Sequence, residues 1–121
     1  MKIWIIAGAT FFALAIVLGA FGAHIIKSKV SPEDLSIFET GVRYHAYNAL
    51  GLILIGLIGF HVHQNVIVIP ALMITAGIII FSGSLYILVL SGVRWLGSIT
   101  PIGGLSFIAG LILLAVNLIR N

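Results

Sequence analysis

The chain has 121 residues, 61% of them hydrophobic and 7% charged, with a mean hydropathy of +1.28. A water-soluble domain carries roughly 25% charged residues, so most of this surface must face something other than water. Six Lys/Arg against three Asp/Glu give a net charge of +3. No basic run accompanies it, which excludes a nucleic-acid footprint, and the lack of cysteine excludes disulfide frameworks and thiolate metal sites.

The first apolar stretch runs from Ile3 to Ile26 without a charge. It exceeds the ~20 residues that cross a hydrocarbon core of ~30 Å. Lys2 and the small residues around Ala20–Ala23 loosely fit a secretory leader. The run is too long for a leader's core, however, and three more apolar stretches follow, so a retained span is expected. Ala15, Gly19 and Ala23 are spaced four apart, and Gly22 widens the stripe. Small residues let backbones approach where lipid gives helices little hydrophobic drive to associate. The stripe predicts a packing seam or a backbone-lined path.

Ser31-Pro32-Glu33-Asp34 reads as a helix start. Ser31 can cap, Pro32 suits the first helical position, and the two carboxylates favour the positive end of the dipole. Leu35 to Glu39 then predicts a short amphipathic helix, lying on the membrane or running on into the second span. Glu39 and Arg43 are i,i+4 with the acid first, the better orientation for a helix pair. Gly41 between them could permit a kink.

The second apolar stretch, Ala49 to Phe60, covers only about 18 Å. To cross, it must take in Arg43, Tyr44, His45, Tyr47 and Asn48 on one side, or His61, His63, Gln64 and Asn65 on the other. Such residues either snorkel at the interface or form a buried polar cluster. The third stretch, Val66 to Leu90, is uncharged and contains Ser82-Gly83-Ser84. Arg94 and Trp95 read as interface anchors. The fourth stretch is Ile99 to Ile119, with Thr100 expected as cap and Pro101 as first helical residue. Gly103, Gly104, Ser106 and Gly110 repeat the small-residue pattern there.

The fold class expected is therefore all-α. It is a single integral membrane bundle over residues 1–121, with four transmembrane helices near 3–26, 42–60, 66–90 and 99–119 and the amphipathic helix before the second. A hairpin of the first two helices would bring His24, Glu39, Arg43, His45 and Asn48 to one membrane face. These five form the candidate polar cluster. On an ideal helix Glu39 and Arg43 share a face, Asn48 lies roughly opposite and His45 falls to one side. His61 and His63 have no third ligand nearby, so no metal site is expected. No nucleophile–base pair, phosphate loop or carboxylate pair appears, so neither an enzyme nor a cofactor is expected.

Four motifs carry a resemblance. They are Leu18-Gly19-Ala20-Phe21-Gly22-Ala23-His24, the run Phe38-Glu39-Thr40-Gly41-Val42-Arg43-Tyr44-His45-Ala46-Tyr47-Asn48-Ala49-Leu50, Phe81-Ser82-Gly83-Ser84-Leu85-Tyr86, and Ile99-Thr100-Pro101-Ile102-Gly103-Gly104. Together they resemble the small bacterial membrane proteins called domain of unknown function 423, or uncharacterised protein family 0382; eukaryotic transmembrane protein 256 is similar. The resemblance covers nearly the whole chain in order. It implies a bacterial cytoplasmic membrane location and no activity. The family pattern often has His where this chain has Asn48, so position 48 need not be ionisable.

The basic residues are nearly balanced between the two sides, with Lys2 and Arg120 facing Lys27, Lys29 and Arg94. The positive-inside rule therefore decides little; the resemblance, which implies more basic termini in relatives, points to both termini inside. A structural or accessory role is favoured, packing against lipid, a membrane-protein partner or a homo-oligomer. A solute or ion transporter or channel built on the second helix's polar start is the alternative.

Overall fold

The structure is a computed structural model that describes residues 2–121. It is all-helical, and no strand occurs among the described residues. Four helices follow in order. Helix α1 is Lys2–Ile26, α2 is Pro32–Ile58, α3 is Gln64–Ser91 and α4 is Thr100–Arg120, the last preceded by a 3-10 turn at Arg94–Ser98. Three segments are long and apolar enough to cross a membrane: Lys2–Ile26, Gln64–Ser91 and Arg94–Arg120. Helix α2 has 27 residues, but its first half carries the polar groups.

The start of α2 follows its sequence. Ser31 is extended and its hydroxyl accepts a hydrogen bond from the Asp34 N–H at 3.1 Å, with Pro32 in the first turn. The Leu35–Glu39 segment is no separate element. It forms early turns of one helix that continues without a break through Gly41. The start of α4 departs from expectation. Thr100 is already helical and does not cap. Its hydroxyl instead meets that of Ser84 at 2.6 Å, a partner on another helix that no local spacing announces. Gly92 ends α3 in the left-handed region at φ 75°, where a side chain would be strained.

Neighbouring helices run antiparallel. Gly8 of α1 lies against Ile53 of α2 while Gly19 lies against Val42. Ser82 of α3 bonds Gly41 of α2, and Asn117 of α4 bonds Val66 of α3. Lys2 and Arg120 therefore lie at the same end. Two apolar clusters fill the interior. One, toward the termini, holds Leu52, Ile55, Ile67, Ala71, Ile74 and Phe107, with Trp4 and Phe11 against it. The other, at the opposite end, holds Ile26, Phe38, Leu88 and Val89.

Two local irregularities carry consequences. Pro70 is buried inside α3 and has no N–H for the Val66 carbonyl one turn earlier. The Asn117 carboxamide of α4 supplies that donor at 3.0 Å. Single π-helical turns interrupt α1 at Leu18–Gly22 and α3 at Ile78–Ser82. Both face the Gly41–Val42 level of α2, through Gly19 and Ser82.

Candidate functional site

Between the two apolar clusters lies a belt of polar side chains, assembled at the Gly41–Asn48 level of α2. His45 is 2% exposed. Its Nδ1 and the Tyr86 hydroxyl of α3 are 2.9 Å apart, and which of them donates depends on the imidazole tautomer. The Phe11 ring of α1 stands edge-on to the imidazole with centroids 6.1 Å apart. His45 Nε2 is the one buried side-chain N or O atom without a hydrogen-bond partner among the described residues. One turn along α3, Ser82 donates to the Gly41 carbonyl at 2.7 Å. Ser84 and Thr100 link α3 to α4, and Ser106 donates to the Met73 carbonyl at 2.6 Å.

Gly41 explains how the belt closes. A Cβ there would come within 2.9 Å of the Tyr86 ring. Its lack of a side chain admits Tyr86 to His45 and leaves its carbonyl open to Ser82. The glycine that reads in sequence as a kink is a contact surface instead.

The five residues expected to cluster separate into two groups. His45 and Asn48 are buried, and the Asn48 amide donates back along the helix to the Tyr44 carbonyl at 2.8 Å. His24, Glu39 and Arg43 are exposed. No ion pair joins Glu39 to Arg43; among the described residues the salt bridge found is Arg94–Asp34. The reason is geometric. Helix α2 continues unbroken through Gly41, and α1 and α3 pack along Phe38, Gly41, Val42 and His45, which leaves Glu39 and Arg43 facing outward. The Arg94–Asp34 bridge is bidentate, both contacts at 2.8 Å. It straps the α3–α4 connection to the first turn of α2. The Arg94 guanidinium beside Asp34 holds its carboxyl below the usual carboxylate range. Sequence spacing could not pair residues 60 positions apart.

The packing residues are distributed over two seams. Ala15 is 1% exposed, Gly19 and Gly22 lie against Val42 and Phe38 of α2, and Ala23 joins the second apolar cluster. Gly103 meets the Phe81 backbone and Gly110 meets Met73 and the Pro70 carbonyl. Gly8 and Gly77 make equally close approaches that the spacing argument missed, because neither has a small partner four residues away on its own helix. Gly104 has room beside the Phe81 ring.

That room belongs to a groove of about 620 Å³ between α2 and α4. Tyr44, Tyr47 and Asn48 form one wall, Phe107, Ile108 and Leu111 the other, with Phe81 between. Tyr44 and Phe107 ring centroids lie 5.2 and 5.6 Å from that of Phe81. The groove is apolar and opens sideways, along the surface that would meet lipid. A smaller recess of about 210 Å³ lies at the termini among Asn65, Asn117 and Arg120. No group of three or more His, Asp or Glu side chains placed to hold a metal occurs among the described residues.

Residues 18–104 match the family described as protein of unknown function (DUF423). The chain is 46% identical over 117 residues to a UPF0382 membrane protein of Staphylococcus haemolyticus, covering 97% of this chain and 95% of that one. It is 40% identical over 121 residues to the UPF0382 membrane protein YwdK of Bacillus subtilis, covering 99% and 98%. No solved structure matches.

Proposed function

The chain belongs to the DUF423 family of membrane proteins, and from that premise we propose that it is a structural or accessory protein of the bacterial cytoplasmic membrane. In this reading α2 is a fourth span. It enters at the level of Glu39, takes in Arg43 to Asn48 as its first turns inside the bilayer and leaves near Ile58. Both termini lie on the cytoplasmic side. The protein acts by packing, and it has no catalytic step.

The observation that carries this reading is the groove between α2 and α4. It is apolar, opens sideways and holds no charged side chain in its wall. A recess of that kind receives an acyl chain or an apolar helix. A solute path would place converging polar groups at mid-depth. The polar belt at His45 and Tyr86 is the feature that favours transport as a second reading, since an ionisable group in a span is costly without a task. Here its bonds run between helices, which suits a joint.

Flux separates the two. Purified protein in vesicles is expected to leave proton and alkali-cation leakage at the protein-free level. Leakage above that level, lost on His45→Phe, would overturn the packing reading. Gly104→Leu offers a positive arm. A Cβ there meets the Phe81 ring at an ordinary 3.7 Å and leads into the groove, so the variant is expected to melt like the parent yet retain less co-purified lipid or partner.

A further inference from the structure

Helix α2 carries two seams on opposite faces, and only one of them is covered. Phe38, Gly41, His45, Asn48, Leu52 and Ile55 are spaced alternately three and four apart, and all are buried against α1 and α3. Ser36, Thr40, Arg43, Tyr47, Leu50, Leu54 and Leu57 follow the same alternation on the outer face. Thr40 is half-buried and the rest are exposed, Tyr47 at 61% and Leu54 at 52%. The lower part of this face, Tyr47, Leu50, Leu54 and Leu57, is large, apolar and exposed, and apolar residues at that 3.5-residue spacing suit packing against another helix. In lipid such a seam needs more than apolar area, because hydrocarbon solvates leucine as well as a helix does.

The upper part of the outer seam supplies the rest. Glu39 and Arg43 follow Phe38 and Val42, which face Gly22 and Gly19 of α1, so both charges stand at a depth where that helix is wholly apolar. Neither has a salt-bridge partner among the described residues. An acid and a base one turn apart on one face are self-complementary. Under a two-fold axis along the membrane normal, each Glu39 faces the other copy's Arg43, and the reverse pair forms with it.

We propose that the outer face of α2 is a homodimer interface, in which a second copy of this chain packs along Thr40–Leu57 and exchanges reciprocal Glu39–Arg43 ion pairs. This rests on the reading of α2 as a membrane span and names its packing partner. It does not depend on whether solutes cross, so flux and dimer measurements fail independently.

The chain has no cysteine, so single cysteines report contacts without background. Leu50→Cys, Leu54→Cys and Leu57→Cys are made in the full chain and oxidised in membranes, beside Ile16→Cys on α1 and Ile108→Cys on α4. Disulfides need Cα atoms within about 7 Å. Dimers are therefore expected at the three α2 positions and only at background for the other two. In the Leu54→Cys chain, Glu39→Arg or Arg43→Glu is expected to cut the dimer by roughly tenfold, since like charges then face each other. The two together restore it. The neutral Glu39→Gln and Arg43→Gln chains check that any loss is not misfolding, because they should insert and melt like the parent. Equal cross-linking at all five positions, none at any, or yields indifferent to charge reversal would show a lipid-covered face and overturn the proposal. A maximum at Ile108 would place the partner on α4 and overturn it as well.

Discussion

At the scale of single residues, His45 and Tyr86 show how an apolar helical interior tolerates polar side chains. Each shields the other's polar atom from its apolar surroundings, and Gly41 makes the space. Removing one partner strands the other, which costs about 1–3 kcal/mol for a buried polar group. Replacing both with apolar groups of similar shape can be nearly neutral. Tyr86→Phe and His45→Phe are each expected to lower the melting temperature in detergent, with the double variant recovering most of the loss. Additive losses would show that the two act separately. The His45 Nε2 left without a partner sharpens the expectation. The double variant also removes that atom, so it can match or exceed the parent.

At the scale of elements, α3 is tied to its neighbours by repairs to its own backbone. Pro70 orphans the Val66 carbonyl and Asn117 satisfies it from α4. Asn117→Leu is expected to destabilise by about 1–3 kcal/mol, because the carbonyl then has no donor. Pro70→Ala restores an intrahelical donor, so in that background Asn117→Leu should cost much less. Equal cost in both backgrounds would show that Asn117 acts by another contact. The strap between Asp34 and Arg94 makes a smaller, pH-dependent contribution. The native carboxyl titrates below its unfolded value, so the strap stabilises fully above the ordinary carboxylate range. That contribution is lost as the pH falls through the lowered native value. The parent's advantage in melting temperature over Arg94→Gln should shrink over that acidic window. Because Arg94 is 61% exposed, salt should shrink it too. An advantage that persists below the window would assign it to packing of the arginine stem.

At the scale of the whole molecule, four antiparallel helices place Lys2 and Arg120 at one end. Lys2→Cys and Arg120→Cys are expected to react with an impermeant thiol reagent from the same side of the membrane, and Ser28→Cys, between α1 and α2, from the other. Reaction of the first two from opposite sides would remove α2 as a span. Much of this architecture was legible in the sequence. Uncharged runs longer than the hydrocarbon thickness fix three membrane-capable helices, and Ser31-Pro32 fixes where α2 begins, since both signals are local. The small residues at Ala15, Gly19, Gly103 and Gly110 also announced close packing. The sequence placed Glu39 and Arg43 on one face and Asn48 on the opposite one, which helix periodicity alone dictates. It could not say which face looks inward. That was decided by α1 and α3 packing along Phe38, Gly41, His45 and Asn48. The same packing turned Glu39 and Arg43 outward and brought in Tyr86, Ser82 and Arg94, whose partners lie 41 and 60 positions away. Periodicity is a property of one helix and survives in the sequence. A polar contact between helices depends on their relative rotation and depth, and these exist only once the helices have packed.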